Sequence, residues 1–322
     1  MTSFKTTARA LAFAAATVAF APGAASAADY PDHVVQLIVP FAAGGGVDTV
    51  GRIIAQKLSD ALGQQVIVVN KPGAGSIIGV RDASHAKPDG YTLLMLVTGA
   101  SLPPNTGYDL AKDFTPVGLV ASVPIVIMSN PAVPVKNMAD IAALAKKEPG
   151  KVTIGTPPSP TLNYFGAEQF KGMTGTDLLV VTYKGTGPLT NDLLGGHVMI
   201  AFNTLPPAIG NINVGKLRAL AVAAPQRLSA IPNVPTTAEA GFKDLSIVQY
   251  YGIVAPAGTP RPIVDRLNKE LRKILSDKTV VDRIVADGGG PIASTPEEYA
   301  ANIKDNEGHW AALIKKLGLK VN

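Results

Sequence analysis

Four loops of this chain carry residue types from which an anion site can be built. The first, Phe41-Ala42-Ala43-Gly44-Gly45-Gly46-Val47-Asp48, joins a candidate strand to a candidate helix. Three glycines let the backbone turn tightly and present several N–H groups, and the helix start adds partial positive charge. Asp48 can cap that helix or brace the loop. The second loop, from Gly155 through Thr156 to Thr161, leads into a helix holding Asn163 and offers hydroxyls rather than glycines. The third is Tyr183-Lys184-Gly185-Thr186-Gly187-Pro188, and the fourth is Asn203-Thr204 at the end of a strand. All four follow strands, and ligands of open α/β sheets sit beyond the carboxyl ends of strands. Thr98, just past a further strand, joins the candidate set. Lys184 fits a solvated rim charge better than a direct counter-ion.

Other chemistries lack their residues. A G-x-G-x-x-G count from Gly44 reaches Gly46 and then meets Thr49, and the second strand ends in Asn70-Lys71 where a ribose-binding acid would be wanted. No GK[ST] ending makes the loop a P-loop. His33, His85, His197 and His309 fall in no metal-ligand spacing. There is neither a G-x-S-x-G elbow nor an H-E-x-x-H, and no pair of acids stands at evident strand ends. The expectation is therefore no catalytic residue, no metal and no cofactor.

The elements that must position these loops alternate. Strand-like runs at 34–41, 65–69 and 91–97 are separated by helical spacing at 47–62 and 77–86. Two β-rich runs, 116–121 and 125–129, then follow one another. A second series comprises helices at 138–147, 162–173 and 189–194 and strands at 152–155, 178–183, 198–203 and 217–223. After a β-like run at 248–255 come helices at 262–275, 280–286 and 296–317. Thr259-Pro260 and Thr295-Pro296-Glu297-Glu298 read as helix starts, and Trp310 shares core spacing with Ile303 and Ile314. Alternation of this kind predicts parallel sheet covered by helices. Crossings near 122–125 and 245–250 predict two lobes: 28–123 with 249–322, and 124–248. The C-terminal helices are expected on the first lobe.

The start of the chain bounds the compartment. Lys5 and Arg9 precede an apolar run over 10–21, Pro22-Gly23 breaks it, and Ala25-Ser26-Ala27 offers small side chains to a signal peptidase. Residues 1–27 read as an export signal cleaved after Ala27. Removing 27 of 322 residues leaves 295, enough for two domains. The chain has no cysteine, which excludes disulfides and thiolate chemistry. Without Lys5 and Arg9, 27 basic residues face 24 acidic ones. That mild, scattered excess suits a small anion and no nucleic acid.

Taken in order, these segments resemble the Bug family, the periplasmic solute receptors of tripartite tricarboxylate transporters. The resemblance runs through Tyr30-Pro31, Ile38-Val39-Pro40-Phe41 with Gly44, Gly45, Gly46 and Asp48, and Asn70-Lys71-Pro72-Gly73-Ala74-Gly75. It continues through Lys87-Pro88-Asp89-Gly90-Tyr91, Lys112-Asp113-Phe114 and Tyr183-Lys184-Gly185. The later segments are Gly215-Lys216-Leu217-Arg218, Val234-Pro235-Thr236 and Ala255-Pro256-Ala257-Gly258-Thr259-Pro260. It implies a two-lobe periplasmic binding protein fold with a hinge of two crossing strands. It also implies a carboxylate held at Phe41, Ala42, Ala43, Gly44, Gly45 and Gly46 with Asp48, and second-lobe contacts from Thr156, Thr161, Asn163, Tyr183, Gly185 and Asn203. The implied partners are a small organic acid and the membrane components of such a transporter, with the receptor itself a monomer. The chain departs from the family where Asn163 replaces a frequent histidine, Asn203 an acid, and Tyr250-Tyr251 a pair containing tryptophan; 98–109 is shortened. Substrate identity is therefore not inherited. The alternatives are an exported α/β enzyme such as a hydrolase and a ligand-sensing subunit for a membrane signalling partner, which would use the same closure.

Overall fold

A computed structural model describes residues 30–99 and 106–318; the expected export signal at 1–27 lies outside them, as do residues 28–29, 100–105 and 319–322. The first sheet contains β1 (Val35–Val39), β2 (Val66–Asn70) and β3 (Thr92–Val97), paired in parallel in the order β2-β1-β3. Helix α1 (Gly46–Leu62) and helix α2 (Ile77–Ser84) connect them. Successive residues of β1 serve opposite faces, as a strand requires. Leu37 packs with Ile54 of α1, and Ile38 packs with Val80 of α2.

After the short α3 (Leu110–Asp113), 114–129 forms one 16-residue strand, β4 (Phe114–Ser129), where the sequence predicts two runs. Its first half pairs antiparallel with β9 (Val248–Pro256), and its second half enters a second sheet. That sheet combines α4 (Met138–Lys147), β5 (Thr153–Thr156), α5 (Leu162–Thr174), β6 (Leu179–Thr182), α6 (Thr186–Gly195), β7 (Ile200–Thr204), α7 (Ile209–Asn213) and β8 (Arg218–Val222). β5 pairs in parallel with β6 and β7, while β4 runs antiparallel to β7 and β8. The order along the sheet is β2-β1-β3-β9-β4-β7-β5-β6, with β8 pairing β4 off this path. The predicted parallel sheet is thus a mixed one, because the strands linking its two parallel parts run against them.

β4 and β9 carry the chain between the two lobes. Ser122, Val123 and Pro124 of β4 pair with Tyr250, Gln249 and Val248 of β9. Helix α8 (Arg261–Ile274) and helix α9 (Lys278–Ala286) bury Ile263, Leu267, Leu271 and Ile284 with the first sheet. Thr259 does not cap α8: its hydroxyl donates to the Pro256 carbonyl, 2.7 Å, and Pro260 opens the helix. After β10 (Gly290–Pro291), Thr295 starts α10 (Pro296–Leu317) with the expected reciprocal cap to Glu298.

Helix α10 serves both lobes. Its first turns bury Tyr299 in the first-lobe core, with the ring so close to Gly252 of β9 that a Cβ there would lie 2.3 Å from it. Farther along, Trp310 and Ile314 enter the second-lobe core with Phe165, Phe170 and Phe202. The sequence-based placement of all C-terminal helices on the first lobe thus describes α8 and α9 but only the start of α10.

Candidate functional site

Sheet twist and the two crossings bring the loop ends of both lobes face to face. Between them is a cleft with about 500 Å³ free of atoms, part of it open to solvent. The first lobe contributes Phe41, Gly45, Val47, Ser76 and Thr98; the second contributes Pro160, Thr161, Asn163 and Thr186; the crossing strand contributes Gln249 and Tyr251. Among the described residues, the lining contains no charged side chain.

The glycine loop approaches the second lobe directly. Gly46 N–H donates to Thr186 Oγ1, 3.2 Å, across the cleft. Gly45 has an ordinary φ of −90°, so its need is for space: a Cβ would fall 2.5 Å from Thr186 Oγ1. Beneath Gly46 lies Thr204, whose Oγ1 would be 2.7 Å from a Gly46 Cβ. Ala42 faces Gly185, and Ala43 and Gly44 lie over Gly187 on the outer side.

Asp48 braces this loop from behind. Its carboxylate accepts from Gly44 N–H, Arg52 Nε and Asn70 Nδ2, each at 2.9 Å, and Asn70 Nδ2 also reaches the Phe41 carbonyl at 3.0 Å. Burial alone would raise its pKa, but the bonds from Arg52, Gly44 and Asn70 prevail and hold it below the ordinary value. Asp48 therefore fixes the cradle and caps nothing.

Helices that open onto the cleft start without side-chain caps. α1, α2, α5 and α6 follow Gly45, Ser76, Thr161 and Gly185, and none of these gives a side-chain cap bond. Ser76 has φ 101°, a left-handed conformation that costs a non-glycine residue roughly 1–3 kcal/mol and concentrates at functional sites. Thr161 is 8 % exposed, lines the cleft, and its hydroxyl has no partner; the Thr204 hydroxyl, 1 % exposed, has none either.

The remaining polar lining forms one chain. Asn163 Nδ2 donates to the Phe202 carbonyl at 3.0 Å, Gln249 Nε2 to Asn163 Oδ1 at 2.7 Å, and the Tyr251 hydroxyl to Gln249 Oε1 at 3.2 Å. All three side chains are buried.

Of the residues named from sequence, Phe41, Gly45, Thr98, Thr161 and Asn163 line the cleft. The Thr98 hydroxyl is engaged with the Tyr250 backbone. Thr156, Tyr183 and Asn203 stand behind the lining. Thr156 donates to the Pro157 carbonyl, and Asn203 Nδ2 donates to the Thr186 carbonyl and Thr190 Oγ1, setting the first turn of α6. Burial, with Asp192 beside it, pushes the Tyr183 hydroxyl up to about 12. Lys184 and the four histidines are exposed, and the described residues hold no cluster of metal-ligating side chains. Ser76, Thr186, Gln249 and Tyr251 are the lining residues with polar side chains that the list from sequence omits. Gln249 and Tyr251 share one face of a strand, and a glutamine within a buried strand is the signal that marks them.

The description of the TctC family, "Tripartite tricarboxylate transporter family receptor", matches residues 50–319. The chain belongs to this family. TctC relatives include BugT of Bordetella pertussis, 35 % identical over 92 % of this chain and 93 % of that protein. The solved structure of the periplasmic binding protein BugD is 35 % identical, with TM-score 0.86 over 90 % of this chain and 99 % of that one. An R. palustris protein with adipate is 30 % identical, with TM-score 0.87 over 90 % and 99 %. MatC from Rhodopseudomonas palustris with bound malate is 29 % identical, with TM-score 0.84 over 88 % and 100 %. As a TctC receptor the chain has the two-lobe α/β fold of periplasmic solute-binding proteins, linked by two crossing strands. Among its described residues no helix is long and apolar enough to cross a membrane.

Proposed function

We infer that this protein is exported to the periplasm, loses residues 1–27, captures a small carboxylated organic anion between its lobes, and hands it to a tripartite tricarboxylate-type membrane transporter. The observation that carries the reading is the convergence of uncapped helix starts from both lobes, with the unpartnered Thr161 hydroxyl, on a cleft whose described lining is uncharged. A carboxylate entering it exchanges water for backbone N–H and hydroxyl donors, and charge-assisted bonds of this kind offset its desolvation. The described cleft walls hold no carboxylate to pair an ammonium, which disfavours amino acids. The adipate and malate bound by the two neighbours are of the same class.

Lobes 28–123 with 249–322 and 124–248 would close by bending where β4 and β9 pair, as a ligand touching both lobes favours the closed form only through contacts absent from the open one. The described lining places no nucleophile beside a base, which favours a receptor over an enzyme, and we read the receptor as a monomer. A thermal-shift screen of organic acids tests this. A true ligand at 100 times its dissociation constant adds about 2.7 kcal/mol of stability. It must be recovered chemically unchanged; a converted product would replace the receptor reading with the hydrolase-like one. Mass measurement of periplasmic protein should give a chain starting at Ala28.

A further inference from the structure

The hydrogen-bond chain across the cleft has a direction that can be read from one end. The Phe202 carbonyl can only accept, so the Asn163 group facing it is the NH2, and the Asn163 oxygen faces Gln249. That oxygen also only accepts, so Gln249 turns its NH2 to Asn163 and its oxygen to Tyr251. The Tyr251 hydroxyl must then donate to Gln249. With its proton committed, Tyr251 offers the cleft only the lone pairs of its oxygen. Burial disfavours the phenolate, so the hydroxyl stays neutral. This oxygen would lie 3.4 Å from a Gly46 Cβ, beside the first turn of α1.

A carboxylate oxygen placed against Tyr251 would set acceptor against acceptor. The unpartnered Thr161 and Thr204 hydroxyls can rotate to serve either role, whereas Tyr251 cannot without orphaning the buried Gln249 oxygen. We propose that the ligand carries a hydroxyl on the carbon next to its captured carboxylate and donates it to Tyr251, making the protein a receptor for 2-hydroxycarboxylates. Tyr251 is the binding residue; Asn163 and Gln249 are positioning residues that hold its proton away from the cleft. The proposal rests on the reading that the first turn of α1 takes a carboxylate.

Calorimetry on the processed protein with matched acids tests it: malate against succinate, lactate against propionate, 2-hydroxyglutarate against glutarate, each hydroxy acid as both enantiomers. In at least one pair, a single hydroxy enantiomer should bind about tenfold or more tighter than the unsubstituted acid, because one fixed acceptor selects both a hydroxyl and its side. Tyr251→Phe should reduce that preference to less than about threefold while changing affinity for the unsubstituted acid little. Gln249→Met, which frees the Tyr251 proton, should narrow or invert the preference, an outcome that a purely structural role would not produce. Equal binding within every pair of the unmodified protein overturns the proposal and leaves the carboxylate reading standing; this comparison needs no variant to fold. A preference retained in Tyr251→Phe also overturns it. Failure of every acid to bind overturns both.

Discussion

Helix starts in this protein are of two kinds. At α3, α4, α9 and α10, Asp109, Asn137, Asp277 and Thr295 accept hydrogen bonds from the first turn. At α1, α2, α5 and α6, which open onto the cleft, no side chain does so. Composition alone does not divide them, for Ser76 and Thr161 are residue types that cap well elsewhere. Ser76 is turned into a left-handed conformation, and Thr161 leaves its hydroxyl without a partner. α7 and α8 also lack side-chain caps, since Ala208 and Pro260, like Gly45 and Gly185, carry no side-chain acceptor, but neither Ala208 nor Pro260 lines the cleft. A helix start without a side-chain acceptor keeps its positive end for something else, and α1, α5 and α6 present theirs to the cleft from both lobes, whereas the first N–H groups of α2 already bond the Ala74 and Gly73 carbonyls.

This contrast can be attacked most strongly at the glycine loop. Gly45→Val should leave the fold intact, because its φ of −90° suits valine, yet it drives a side chain into Thr186. Ligand affinity by calorimetry should fall by about 100-fold. Unchanged affinity would mean that the first turn of α1 is not part of the site.

Next in size is the brace. Asp48→Asn removes a charged acceptor from Gly44, Arg52 and Asn70 and should cost about 2 kcal/mol in urea unfolding near neutral pH. The Asp48 pKa is depressed in the folded protein, so its stabilisation is complete above the unfolded-state value of 3.8. It fades as pH falls through the lower folded-state value. The difference between wild type and variant should therefore be flat from neutral pH down to about pH 5 and vanish in stronger acid.

The smallest effects separate the two kinds of helix start. Thr295→Ala should lose about 1 kcal/mol of stability with ligand affinity unaltered. Thr161→Ala should do the reverse: stability within about 0.5 kcal/mol of wild type, with affinity lowered by roughly threefold to tenfold. If Thr161→Ala destabilises as Thr295→Ala does, the distinction between the two sets collapses.

Much of this arrangement was legible in the order of strand, loop and helix, since alternation at period two and at 3.6 is local. The glycine loop and Thr161–Asn163 could be placed at strand ends for that reason. β4 was not legible as one strand. Pro116 and Pro124 interrupt its pattern, and only the structure shows why they are tolerated: Pro116 borders a register shift, and Pro124 stands where β4 leaves one sheet for the other. Nor does a sequence say which side of a strand faces a cleft formed by two lobes. Asn203 and Tyr183 sit at strand ends, as expected, but support the walls from behind, while Thr186 and Gln249 reach the surface of the cleft.

The course of α10 sets the mechanics of any such motion. Two strands alone form a ribbon, which bends readily and also twists. A helix pinned by Tyr299 in one core and by Trp310 and Ile314 in the other ties the bodies together at a third point and stiffens the ribbon against twist. Any opening of the lobes would then be held close to a single axis and retrace one path. The far pin is also the only indole in the chain. Its ultraviolet emission is therefore a built-in gauge of that path: a shift on ligand addition, lost in a variant that cannot bind, would follow the moving joint without any label.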